Sequence, residues 1–125
     1  MQNLEVLKAA RNLMLRLHKV LVDHEKRIYE SINGPINPGR FLGLLLESPD
    51  LAWLRRFSML IVEIDEMFEL DDGYTAEMID AYIEKARGLV EMSDVDDDFR
   101  ARYQAAIQQD IEAVALHEEL KRTLK

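Results

Sequence analysis

Between Ser48 and Leu70 the chain carries the pattern that most limits how it can fold. Ser48 can cap a helix, Pro49 suits a first helical position, and Asp50 stands where the positive end of a helix dipole favours an acid. Stepped at about 100° per residue, Met67, Leu60, Trp53, Ile64, Phe57, Phe68, Ile61 and Leu54 fill one unbroken arc, as in a helix that buries a broad side. Asp65 and Ser58 come next on the wheel, followed by Leu51 and Val62. An acid and a hydroxyl therefore lie between apolar neighbours. Asp65 is expected to be buried and paired with a histidine or with Arg11, because a buried charge needs a partner.

A helix with such a face needs other helices to cover it. Residues 3–33 predict one amphipathic helix of roughly 45 Å. Its inner face is Val6, Ala10, Leu13, Met14, Leu17, Val20, Leu21, Ile28 and Ile32, and Gly34-Pro35 ends it. Residues 40–47 predict a short helical turn. Its Phe41, Leu42, Leu44, Leu45 and Leu46 either plug one end of a bundle or leave an apolar patch for a partner. The helix from Pro49 stops at Asp71-Asp72-Gly73, and Thr75 caps a third with Met78, Ile79, Tyr82, Ile83, Ala86, Leu89 and Val90 on one face. Ser93-Asp94 opens a fourth, with Phe99, Tyr103, Ala106, Ile107, Ala113, Val114, Leu120 and Leu124 inward. Short links make neighbours antiparallel. The expected fold is all-α, an antiparallel four-helix bundle with a short extra helical turn between helices 1 and 2, forming one domain over residues 1–125.

Charge and composition narrow the function. There is no cysteine, which removes disulfides, thiolate metal sites and cysteine nucleophiles. Residues 1–33 hold six Lys/Arg against four acids, whereas the remainder holds ten against twenty, so a net charge of -8 is divided as +2 and -10. An acidic chain repels phosphate backbones, and no nucleic-acid partner is expected. The first helix mixes signs on its polar face, unlike a helix that lies on a membrane, so no membrane partner is expected either. The start of the chain lacks the basic and apolar runs of a signal peptide, and a soluble, cytoplasmic protein is expected.

Familiar catalytic patterns are missing. Asp94-Val95-Asp96-Asp97-Asp98 resembles half of a calcium loop, but Phe99 stands where a glycine is needed and Ala105 where a glutamate is needed. Acids at a helix start suit the dipole without a ligand. Leu15, Leu21 and Val114 occupy the positions three before the histidines, so the Glu-x-x-His of carboxylate-bridged metal bundles is absent.

A set of inward ionisable residues remains. Arg11, His18 and Glu25 are spaced by seven on the first helix, and His24 stands apart among Leu13, Leu17, Val20 and Ile28. Asp110 and His117 are spaced by seven on the fourth. Structural pairing alone can satisfy such groups. If instead the helices converge, His18, Glu25, Ser58, Asp65, Asp110 and His117 offer imidazoles, carboxylates and a hydroxyl to a small ligand, or to a divalent metal.

Leu17-His18-Lys19, Leu21, Asp23, Glu25 and Tyr29-Glu30, then Pro38-Gly39, then Ala52-Trp53-Leu54, Ser58, Leu60-Ile61-Val62 and Ile64-Asp65-Glu66 resemble a group of short helical bacterial proteins of unknown function. The resemblance covers residues 13–70 and implies a small helical bacterial protein, with no activity attached. The expected function is a non-enzymatic interaction or regulatory module that pairs with itself as a homodimer or with another protein, with no cofactor. The alternative is a small-molecule- or metal-binding bundle, possibly an enzyme, built on the inward histidines and carboxylates.

Overall fold

The computed structural model describes residues 2–93 and 95–125; Asp94, where the acidic run and the expected fourth helix open, lies outside them. Helix α1 spans Gln2–Asn33, about 48 Å at 1.5 Å per residue. It stops at Gly34, whose φ of 85° lies in the left-handed region that side chains resist. Helix α2 spans Pro38–Glu47, where Asn37 accepts a hydrogen bond from the Arg40 amide at 2.8 Å. The expected turn is thus a full helix of ten residues. It buries Phe41, half-buries Leu44 and Leu45, and leaves Leu42 and Leu46 exposed. Plug and patch are two sides of one element.

Ser48 caps as expected, but a 3-10 turn at Pro49–Leu51 comes first, and helix α3 runs over Ala52–Phe68. Helix α4 spans Ala76–Val90, with the Thr75 hydroxyl accepting from the Met78 amide at 3.2 Å; Met78, expected on the inner face, is exposed in this first turn. Helix α5 spans Asp97–Gln109, capped by Asp96, and helix α6 spans Ile111–Thr123, capped by Asp110. Among the described residues the chain is all-helical, with six α-helices and no strand. None of those helices is long and apolar enough to cross a membrane.

The expected fourth helix is therefore two. Asp110 takes an extended backbone (φ -129°, ψ 117°); its amide closes α5 on the Ala106 carbonyl, while its carboxylate accepts from the Ala113 amide at 3.0 Å. On one straight helix Tyr103 and His117 would stand about 21 Å apart. They share a 2.7 Å hydrogen bond, so α6 turns back toward α5.

Helix α1 is the hub, packing against α6, α3 and α4. Its Leu7, Ala10, Met14, Leu17 and Leu21 are wholly buried. Trp53 and Phe57 of α3 meet Phe99 and Tyr103 of α5 in a ring cluster, with edge-on pairs at 6.0 Å (Trp53–Phe99) and 5.3 Å (Phe57–Tyr103). The Trp53 indole N–H is buried there without a hydrogen-bond acceptor. Arginines tie the elements through carbonyls that helix ends and turns leave open: Arg55 to Leu45, Arg87 to Leu124 and Arg102 to Asp50.

One consequence of this register positions the site. Arg11 pairs with Asp65 across antiparallel α1 and α3. Seven residues further along α1 and seven back along α3 cover the same rise, so His18 is level with Ser58, and Glu25 with Leu51. Helix α6 begins beside Arg27, because Asp110 bonds it. Residues 28–33 of α1 therefore extend past the starts of α3 and α6. Ile28 and Ile32, expected on the inner face, are exposed there, Ile32 at 75%.

Candidate functional site

Asp65 accepts two hydrogen bonds from Arg11, Nε to Oδ1 at 2.9 Å and Nη2 to Oδ2 at 2.8 Å. The fork geometry holds both oxygens, and the Arg11 pKa is raised by that hydrogen bond. The expected partner is present. The expected burial is not, since the Asp65 side chain is 43% exposed. Asp65 lies on the outer rim of the α1–α3 seam, where water reaches it from the side opposite Ile61 and Ile64.

The next level along the seam holds His18 and Ser58, both half-buried. Burial pushes the His18 pKa down, favouring the neutral ring. The Ser58 hydroxyl turns back on its own helix and donates to the Arg55 carbonyl at 3.2 Å. Glu25 follows, and burial pushes its carboxyl pKa up, with Asp50 adding to the rise while His24 and Arg102 oppose it. Four of the six candidate residues thus share one seam. They stand on successive levels about 10 Å apart, too far for any two levels to grip one ion.

Asp110 belongs elsewhere. Its side chain is 9% exposed and accepts from Arg27 Nη2 at 2.8 Å, with His24 Nδ1 at 3.7 Å. His117 is buried against Tyr103, whose hydroxyl lies 2.7 Å from His117 Nδ1. Burial raises the Tyr103 pKa and lowers that of His117, so a neutral phenol and a neutral imidazole share this hydrogen bond. The spacing of seven between Asp110 and His117 is real, but the break at Asp110 gives each its own partner. The three inward stripes do not converge. Among the described residues no three His, Asp or Glu side chains come together as a metal ion would require.

Several residues that matter here carry little sequence signal. Tyr103 reads as a core aromatic and Arg27 as a surface cation four after Asp23. Arg102 reaches back to the Asp50 carbonyl at 2.8 Å and to its carboxylate at 3.3 Å while bonding Asp98 at 2.9 Å. That link spans 52 residues of chain, and no local pattern announces it. Compared with known proteins, the chain matches no family model, no curated protein and no solved structure.

Proposed function

We infer that the chain is a non-enzymatic interaction module that pairs with a second copy of itself across the outer side of the α1–α3 seam. The observation that carries this reading is an exposed apolar strip beside that seam: Leu15 on α1, 45% exposed, with Met59 and Val62 on α3, 61% and 52% exposed. Leu15 stands one turn beyond Arg11 and Val62 about one turn before Asp65, so the register places them side by side. The flanking charges differ in sign. Exposed Lys8 and Lys19 lie on α1, exposed Glu66 lies in the last turn of α3, and exposed Glu69 follows it. A two-fold axis that lays α1 of one copy over α3 of the other brings lysine to glutamate and joins the two apolar strips.

In this reading α1, α3, α4 and the α5–α6 pair act as four layers with α2 as the extra element, and the dimer works in the cytoplasm without a cofactor. The resemblance to short helical bacterial proteins fits a module of this size. The test is sedimentation velocity across a wide concentration range. Wild-type protein dimerises, and Val62→Glu or Met59→Glu, each at an exposed position, raises the dimer Kd about tenfold or more. A monomer at every concentration up to about 1 mM overturns the reading.

A further inference from the structure

The projecting end of α1 forms one wall of a second feature, remote from the apolar strip. Glu25, Ile28, Tyr29 and Ile32 of α1 face Leu44 of α2, Asp50 and Leu51 of the 3-10 turn, and Arg102 of α5 around a cleft of about 430 Å³. That volume lies in the range of small-molecule sites. Asn33 and Ser48 complete the lining, aliphatic side chains make up much of the walls, and the charged groups gather at the Glu25 end. Arg102 is already committed there, bonded to Asp98, to the Asp50 carbonyl and to the Asp50 carboxylate. Glu25 differs. Its carboxylate is half-buried, and no described residue donates a hydrogen bond to it.

Two carboxylates of the lining, Glu25 and Asp50, stand against one guanidinium, which Asp98 also holds from outside the lining. The polar end of the cleft is therefore net negative and holds one acid whose hydrogen-bonding capacity is unused. Burial also presses the Glu25 carboxyl toward its neutral form, and a cation beside it would reverse that pressure. An anion would meet the wrong sign, and a neutral apolar molecule would leave Glu25 as it is.

We propose that this cleft binds an organic ammonium ion, its cationic head on Glu25 and its apolar body against Ile28, Ile32, Leu44 and Leu51. Tyr29 adds an aromatic ring to the wall, which suits a cation further. The site is independent of self-association, because Ile28 lies about 20 Å along α1 from Leu15. A monomeric protein can bind the amine, and a dimeric one can fail to.

The experiment titrates the full chain with n-hexylammonium, using n-hexanol and hexanoate as controls, and follows backbone and methyl resonances by NMR. The expected result is saturable binding with a Kd of about 1 mM, and shifts centred on Glu25, Ile28, Ile32 and Leu44. Hexanoate and hexanol bind at least about tenfold more weakly. Glu25→Gln weakens hexylammonium about tenfold while the helical circular dichroism is kept. Ile32→Ser, at an exposed position where the fold has little to lose, weakens it about threefold. Failure to saturate, equal binding of hexanoate or hexanol, shifts that map elsewhere, or unchanged affinity in either variant overturns the proposal.

Discussion

Tyr103 and His117 hold each other in one protonation state because both rings are buried together, and stability should record it. The His117 pKa is lowered by burial below its ordinary value of 6.5, and that of His18 likewise. Around and below that value the unfolded chain binds more protons than the folded one, so stability rises with pH through this window and is lost as pH falls through it. Urea unfolding at pH 5.5 should give a lower midpoint than at pH 7.5, and His117→Gln should flatten part of the slope. An unchanged slope in the variant would remove His117 as a source. Glu25 acts in the opposite sense, because its raised carboxyl pKa favours the folded state at acid pH and that advantage is lost as pH rises above the ordinary carboxylate value. Tyr103→Phe leaves the buried His117 Nδ1 without its hydrogen-bond partner and should cost about 1–2 kcal/mol by urea unfolding. Asp65→Asn weakens only a half-exposed ion pair, and a cost of about 0.5–1 kcal/mol is expected in the same measurement.

Among the elements, the junction at Asp110 carries most. Its carboxylate caps α6 and accepts from Arg27, so Asp110→Ala should cost roughly 2–3 kcal/mol, the sum of a lost cap and a charged hydrogen bond. Asp110→Asn keeps the cap and loses the charge, and its unfolding midpoint should fall between those of wild type and alanine. The same junction shows what a sequence can reveal. Gly34, Ser48 and Thr75 were legible as helix ends because capping is settled within a few residues of chain. The break at Asp110 was not. Inward positions at 103, 106, 107, 113, 114 and 117 keep helical spacing straight through it, and the carboxylate finds Arg27 only after α1 has packed beside it. The pairing of Asp65 with Arg11 was legible for the converse reason, since both stand on stripes of seven that face each other. Its exposure was not, because a wheel gives direction but not how far the neighbouring helix reaches. The Glu25 cleft was visible only as a lone acid, because Arg102 and Asp50 reach it from distant parts of the chain.

Over the whole molecule, charge is divided between a basic first helix and an acidic remainder. Paired copies that set Lys8 and Lys19 against Glu66 and Glu69 should separate as salt is added. Raising ionic strength from about 0.05 to 0.5 M should weaken the dimer several-fold, whereas the apolar contribution of Leu15, Met59 and Val62 should resist. Sedimentation at the two salt concentrations checks it, and salt-independent pairing would exclude that charge arrangement.

The hub position of α1 also sets an order of events during synthesis. Helix α1 packs against α6, which follows every other described helix in the chain. Until α6 has left the ribosome, Leu7, Ala10, Met14, Leu17 and Leu21 cannot gain their full cover. From the emergence of α1 until then, the chain carries an apolar stripe some 20 Å long that α3 and α4 cover only in part. A nascent chain lacking α6 is therefore a species on which a chaperone would act, and the docking of α6 on α1 closes the fold.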